Sequence, residues 1–118
     1  GEIEDAIMRH PAVIMAAAIG VPDPLRTEVI KAFVILREGR RPDDALAEEI
    51  KASVRDRLAK HETPREIAFV DELPMTTTGK IMRRILRKVA ANEFDSLGDT
   101  STLADPTVVQ DLISNRVG

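Results

Sequence analysis

Apolar residues recur along this chain with the spacings of both strands and helices. Residues 28–36, EVIKAFVIL, are rich in β-branched side chains, which predicts a strand. Residues 12–21, AVIMAAAIGV, are apolar throughout and predict a buried strand, although the alanines also suit a helix. A helix capped by Asp43 or Asp44 and ending near Lys60 is indicated by one apolar stripe: Leu46, Ile50, Val54 and Leu58.

Shorter patterns predict the remaining elements. We expect a helix at 2–9, a turn at 21–25, a third strand at 65–70, an extended or hairpin segment at 72–80, a helix from about Ile81, and a short helix from about Pro106 to Asn115. Strands that alternate with helices in a chain of 118 residues predict a small α+β fold, with a three-stranded sheet flanked by helices.

Composition excludes several kinds of site. The chain has no cysteine, so it has neither disulfides nor thiolate metal ligands, and His10 and His61 lie far apart, so we expect no metal site. It has no apolar run of membrane-spanning length and no signal peptide at its start, which predicts a cytoplasmic protein without a membrane partner. A net charge of −3 gives no general attraction to nucleic acid.

Residues 72–88, ELPMTTTGKIMRRILRK, are the one stretch that looks suited to chemistry. It is not a phosphate-binding P-loop, because Pro74 stands where the first glycine is required and Ile81 where a serine or threonine is required. What remains is a threonine-rich loop with Gly79 at a position suited to unusual backbone angles, followed by Lys80 at or just before a helix start. An arbitrary lysine is usually only a solvated surface residue.

The surrounding motif resembles the C-terminal domain of adenylate-forming enzymes. The family pattern is a proline, several hydroxyl residues, Gly-Lys, an aliphatic residue and Arg-Arg, which PMTTTGKIMRRILR fits. EIEDAIMRHP, HPAVIMAAAIGVPD and PREIAFVDELP are similar to the family's opening helix, first strand and third strand. The tail resembles that of acetyl-CoA synthetases and close short-chain relatives, whereas PREIAFVDELPMTTTGK also resembles medium-chain and aryl-acid relatives.

The resemblance implies a mobile lid domain at 1–91, a C-terminal extension with a short helix at 92–118, and a large N-terminal domain outside this chain. The full enzyme would activate a short-chain carboxylate, acetate or propionate, with Mg-ATP to an acyl-adenylate and then transfer the acyl group to CoA. The fragment alone would be inactive. There are two alternatives. The chain could belong to a medium-chain or aryl acyl-CoA synthetase, or it could be a non-catalytic regulatory or nucleic-acid-binding module.

The same resemblance implies roles for individual residues. Lys80 would be the catalytic lysine of adenylation, on a loop supported by Thr77, Thr78 and Gly79, and Thr76 could hold the same loop through its hydroxyl. Arg55 would contact the 3′-phosphate of CoA, although it could simply be a cation that stabilises a helix C-terminus. An acetyltransferase and a deacetylase acting on Lys80 would be protein partners.

Two further features remain open at this level. The cations of the last basic helix could be solvated, could contact the large domain, or could contact nucleotide or CoA phosphates: Arg83, Arg84, Arg87 and Lys88. Thr27 stands where relatives often have a glycine, which we expect to affect a turn and not the chemistry.

Overall fold

The computed structural model of the protein describes residues 1–93, 97–98 and 100–117, with side chains through residue 114. The chain forms two compact units, Gly1–Asp71 and Glu72–Gly118. The predicted boundary between a domain at 1–91 and an extension at 92–118 stays a prediction, and residues 94–96, 99 and 118 of that extension lie outside the described residues.

The first unit is built around a three-stranded mixed sheet. Its elements are α1 (Glu2–Met8), β1 (Val13–Asp23), β2 (Thr27–Leu36), α2 (Asp44–Arg57), a short 3₁₀ helix (Lys60–Glu62) and β3 (Glu66–Phe69). β2 lies in the centre, antiparallel to β1 and parallel to β3. The parallel pairing requires a crossover, which α2 supplies. The predicted α+β fold with three strands is confirmed.

The core of this unit lies between the sheet and the first two helices. The predicted stripe of α2 faces inward, with Ile50 and Val54 fully buried and Leu58 partly buried. The buried members of the cluster are Ala6, Ile7, Ala12, Val13, Ala16, Ala32, Val34, Leu46, Ile50 and Val54. Burial of this stripe therefore holds α2 against the sheet, since apolar burial is the main stabilising term in folding.

Both ends of α2 have a clear cause. The carboxylate of Asp43 accepts a hydrogen bond from the Leu46 N–H at 2.7 Å, so Asp43 is the N-cap and the helix begins at Asp44. Leu58 adopts extended angles, φ −125° and ψ 175°, and the helix ends at Arg57, somewhat earlier than the sequence predicted.

The segment after α1 is tied to α2 by His10, which is buried. Its Nδ1 accepts the N–H of Ala12 at 3.1 Å, so Nε2 carries the proton that lies between the ring and the Glu49 carboxylate, 2.6 Å away. The histidine thus has a structural role in joining two elements.

The turn between β1 and β2 is shorter than predicted. A turn at 21–25 is wrong in its first half, because β1 continues through Asp23 and Pro22 pairs with Glu28. Pro22 is tolerated there because β1 is an edge strand. The Asp23 carboxylate then accepts the N–H groups of Leu25 and Arg26, at 3.1 and 2.9 Å, and forms the turn.

Thr27 closes this turn with a positive φ of 68°. A β-branched residue is strained in that region, whereas glycine is not. The structure therefore gives the physical reason why a glycine would suit position 27.

The second unit contains a hairpin loop and two helices, α3 (Arg83–Ala90) and α4 (Thr107–Val117). The predicted start of α3 near Ile81 is wrong by two residues. Ile81 pairs with Met75 in an antiparallel bridge, and the Met82 N–H donates to the Pro74 carbonyl at 2.7 Å, so both residues precede the helix and Met82 is its N-cap. The buried side chains of the unit are Leu73, Pro74, Ile85, Leu86, Val89, Leu103, Val108, Val109 and Leu112.

The start of α4 is fixed by Asp105. Its carboxylate accepts hydrogen bonds from the Thr107 hydroxyl at 2.6 Å and the Thr107 N–H at 3.0 Å. These two bonds, the hydroxyl bond first, hold the pKa of the Asp105 carboxyl below its ordinary value. The predicted terminal helix is confirmed, and it continues to Val117. Within the part of the chain that the structure describes, no helix is long and apolar enough to cross a bilayer.

Candidate active site

The threonine-rich segment folds into a closed hairpin loop between Met75 and Ile81. The Thr76 N–H donates to the Lys80 carbonyl at 2.8 Å, and the Gly79 N–H donates to the Thr76 carbonyl at 2.9 Å. The Thr76 hydroxyl oxygen in turn accepts the Lys80 N–H at 3.0 Å. Thr76 and Lys80 therefore close the loop, which we call the lysine loop (residues 75–81).

Gly79 makes the turn of the lysine loop possible. Its φ is +87°, in the left-handed region that glycine enters without steric cost. A Cβ placed on Gly79 would meet no atom within 4 Å, so the demand for glycine comes from the backbone angle and not from lack of space. The expectation of unusual backbone angles at Gly79 agrees with this geometry.

The side chain of Lys80 projects from the tip of the loop. Lys80 is exposed. Among residues 1–93, 97–98 and 100–117, no hydrogen bond or ion pair holds its amine. The fixed part of Lys80 is its main chain, and its charge remains available to an anion.

The three threonines contribute in different ways. The Thr78 hydroxyl lies 3.0 Å from the Thr76 hydroxyl, whereas the described contact of Thr77 is a main-chain bond from its N–H to the Thr102 carbonyl at 3.3 Å. The hydroxyl that bonds to the Lys80 main chain belongs to Thr76, a residue that the sequence suggested only as one of three. No sequence signal distinguishes Thr76 from the two threonines that follow it.

A segment near the C-terminal end of the chain, in the same unit, lies beside the lysine loop. Thr76 forms an antiparallel bridge with Leu103, and the Ala104 N–H donates to the Met75 carbonyl at 2.9 Å. With the bond from Thr77 to Thr102, this makes three adjacent pairings. We call residues Thr102–Ala104 the tail strap. Sequence reasoning missed it, because no local pattern reports a pairing across more than twenty residues.

Two cations of α3 contact residues that follow this helix in the chain. Arg84 donates to the Leu97 carbonyl, and the Lys88 amine lies 2.8 Å from the Glu93 carboxylate. Neither contact was among the three interpretations offered for this basic helix. Arg84 and Lys88 therefore help to hold the segment that follows α3.

Arg55 is in the last turn of α2, in the other unit from Lys80. Its side chain is exposed, and Arg57 occupies the same helix end. Both cations complement the negative C-terminal end of the helix. One loop of the second unit thus brings together Thr76, Thr77, Thr78, Gly79 and Lys80, whereas Arg55 belongs to the first unit.

Comparisons with known proteins give the same family from sequence and from structure. The family model of the AMP-binding enzyme C-terminal domain matches residues 2–80. Acetyl-coenzyme A synthetase of Desulfatibacillum aliphaticivorans is 51% identical over 116 residues, which are 98% of this chain and 18% of the relative. Acetyl-coenzyme A synthetase 2 of Pseudomonas aeruginosa is 50% identical over 116 residues, with the same coverage of both chains.

Solved structures agree with these matches. The crystal structure of Brucella canis acyl-CoA synthetase superposes with a TM-score of 0.75 and 50% identity, over 78% of this chain and 17% of that chain. A benzoate CoA ligase from Burkholderia xenovorans gives a TM-score of 0.68 and 50% identity, over 73% and 17%. The chain spans about a fifth of the length of the curated relatives that it matches. By its sequence and its fold, the chain belongs to the family of AMP-binding enzyme C-terminal domains.

Proposed function

We propose that this chain is the mobile C-terminal domain of an AMP-forming acyl-CoA synthetase that uses acetate or another short-chain carboxylate. The enzyme would form an acyl-adenylate from the carboxylate and Mg-ATP, and would then pass the acyl group to CoA. The match to acetyl-coenzyme A synthetases supports this choice, because it extends over 98% of the chain and so includes residues beyond position 80, where the match of the family model ends. The large N-terminal domain of the same enzyme would be its main partner.

The first half-reaction creates the need for a cation. A carboxylate must approach a phosphate that is itself negatively charged, and charge develops on the bridging oxygen as pyrophosphate leaves. An ammonium group that touches both reactants reduces the repulsion and stabilises the developing charge. In a closed site such a contact contributes about 3–4 kcal/mol, or roughly a hundred- to thousandfold in rate.

Lys80 is suited to this task because its amine is exposed at the tip of a closed loop. The bonds that close the loop use its main-chain N–H and carbonyl, and the side chain takes no part in them. The free amine on a fixed main chain is the observation that carries the proposal. It also means that truncating the side chain removes the charge while leaving the loop closed.

We expect Lys80→Ala in the full-length enzyme to lower adenylation by roughly a hundred- to thousandfold, because only the first half-reaction needs the cation. Carboxylate-dependent exchange of pyrophosphate into ATP measures this step. Thioester formation from supplied acyl-adenylate should stay within about twofold of the parent enzyme.

Two more variants define what the side chain supplies. Lys80→Arg keeps the charge but changes reach and geometry, so it should restore only part of the rate. Lys80→Gln lacks the charge at nearly the same length and should behave like alanine. An equal loss of both half-reactions in Lys80→Ala would show instead that the residue is structural, and the assignment would be abandoned.

We assign Arg55 to the second half-reaction, as a contact for the 3′-phosphate of CoA. Its guanidinium is exposed, and an arginine fork suits phosphate oxygens. The division of the chain into a lid at 1–91 and an extension at 92–118 also belongs to this proposal.

Reversible acetylation of Lys80 would regulate the enzyme in the cytoplasm. An exposed amine is accessible to a modifying enzyme, and acetylation would remove the charge on which adenylation depends. An acetyltransferase and a deacetylase would be the partners, and the rate of Lys80→Gln indicates how complete the inhibition would be.

A medium-chain or aryl carboxylate is the second candidate substrate. The structural similarity to a benzoate CoA ligase, at 50% identity, favours considering it. Adenylation rates of the full-length enzyme with acetate, propionate, octanoate and benzoate distinguish the two: the preferred carboxylate gives the highest kcat/KM.

A further inference from the structure

The two arms of the lysine loop pair with each other, and a third segment, the tail strap, pairs with the first of these arms. A two-stranded hairpin is marginally stable by itself, and a third strand is what normally makes it persist. The tail strap supplies that third strand through the Thr76–Leu103 bridge and the bonds from Ala104 to Met75 and from Thr77 to Thr102. The pairing partners are residues 75–77, immediately before the turn that carries Lys80.

The tail strap is anchored on both sides and in its centre. Before it, Arg84 donates to the Leu97 carbonyl and lies so close to Gly98 that a Cβ there would be 2.6 Å from the guanidinium. After it, Asp105 caps α4. In its centre the side chain of Leu103 is buried, with 7% of its surface exposed. The strap is therefore a fixed element of the second unit.

We propose that Leu103 is a positioning residue for adenylation, and that the tail strap holds the lysine loop in the geometry at which Lys80 reaches the reacting groups. This proposal rests on the function proposed for Lys80. No described contact holds the amine itself, so its placement depends on the main chain that carries it. A misplacement of about 1 Å at a reacting centre can lower a rate by roughly a hundredfold.

The test compares two buried leucines of the same unit in the full-length enzyme. Leu103→Ala and Leu112→Ala delete the same atoms from side chains that are 7% and 4% exposed, but only Leu103 pairs with the lysine loop. Leu103→Ala should lower kcat for pyrophosphate exchange by about tenfold with little change in the KM for ATP. Thioester formation from supplied acyl-adenylate should stay within about twofold, and Leu112→Ala should keep both rates.

Hydrogen exchange gives a readout that does not depend on activity. In Leu103→Ala the amides of Thr76, Thr77 and Lys80 should exchange faster than in the parent, while those of β2 should not change. Leu103→Met, which keeps the buried volume, should restore both exchange protection and kcat.

The outcomes separate this proposal from the one on which it rests. If Lys80→Ala abolishes adenylation while Leu103→Ala behaves like Leu112→Ala in rate and exchange, the strap has no positioning role and the function of Lys80 stands. If Leu103→Ala lowers both half-reactions equally, Leu103 serves folding alone. If Lys80→Ala itself spares adenylation, the function proposed for the loop is wrong, and faster exchange in Leu103→Ala would report only on loop stability.

Discussion

At the scale of single residues, the lysine loop depends on one backbone angle and one hydroxyl. Gly79 supplies the left-handed angle of +87°, and the Thr76 hydroxyl accepts the main-chain N–H of Lys80. The need for glycine could be predicted from the Gly-Lys motif, since glycine is the usual residue for such an angle. The sequence could not predict which threonine bonds to the main chain, because the three adjacent hydroxyls are equivalent in sequence and differ only in the folded loop.

Gly79→Ala tests whether the loop angle matters for chemistry, and Gly39→Ala is its matched control. The two glycines have φ of +87° and +86°, and a Cβ at either one would meet no atom within 4 Å. Both substitutions should therefore destabilise by about 1–2 kcal/mol through the left-handed backbone alone. Thermal unfolding of the two variants measures this cost.

Only Gly79→Ala should also lower pyrophosphate exchange, by roughly tenfold, because only that turn carries Lys80. Similar rates for the two variants would mean that the turn tolerates the change without moving the amine.

Thr27 is the opposite case, a residue other than glycine at a positive φ. The resemblance to the family suggested a glycine at position 27, and the φ of 68° there gives the physical reason. The angle itself is fixed by the pairing of β1 with β2 and by the hydrogen bonds of Asp23, so the residue type alone did not determine it.

At the scale of elements, α2 was predictable because its pattern is long and its cap is local. The apolar stripe every fourth residue and the Asp43 cap both lie within one segment of sequence. The start of α3 could not be predicted, because the side chains of Ile81 and Met82 are compatible with a helix. The bonds of these two residues to Met75 and Pro74 keep them out of the helix, so contacts outside the segment override its local preference.

The prediction about CoA binding concerns the C-terminal end of α2. Arg55 and Arg57 both lie in the last turn, are exposed, and interact similarly with the helix C-terminus. If Arg55 contacts the 3′-phosphate, Arg55→Ala in the full-length enzyme should raise the KM for CoA by about tenfold and leave pyrophosphate exchange unchanged, since a charge-assisted hydrogen bond contributes about 1.5–3 kcal/mol.

Arg57→Ala should leave the KM for CoA unchanged, although it removes the same helix-end charge. Dephospho-CoA, which lacks the 3′-phosphate, provides a second check, because it should be used equally by the parent enzyme and by Arg55→Ala. A rise in KM that is the same in both variants would point to the helix end and away from a specific phosphate contact.

At the scale of the whole molecule, acidic residues outnumber basic ones by 20 to 17, which disfavours nucleic acid as a partner. The basic helix α3 is the one feature that had suggested such a partner. Arg84 and Lys88 contact Leu97 and Glu93 of the chain itself, which reduces the charge that α3 offers to a polyanion.

We therefore expect no binding of mixed DNA or RNA oligonucleotides by the protein at about 0.1 M salt, because few cations remain to release counterions from the phosphates. Fluorescence anisotropy of a labelled oligonucleotide, titrated at several salt concentrations, measures this. Tight binding that weakens steeply with added salt would support the nucleic-acid alternative.

The pairing of the tail strap with the lysine loop could not be predicted from the sequence. Local patterns predicted α4 and the hairpin separately, and both are present. Their connection depends on the register of Leu103 against Thr76, which no periodicity within either segment encodes. The strands and helices of the first unit were easier to predict, because the spacing of their apolar residues indicates directly which face is buried.

Pro22 has a consequence for the protein outside any reaction. It lies in β1, an edge strand, where it offers no N–H to a neighbouring chain. Unprotected edges recruit strands from other molecules and lead to aggregates. Because proline has no N–H, position 22 can give no main-chain donor to a strand of another molecule, and proline is accordingly a residue type that disfavours intermolecular sheet growth along an edge.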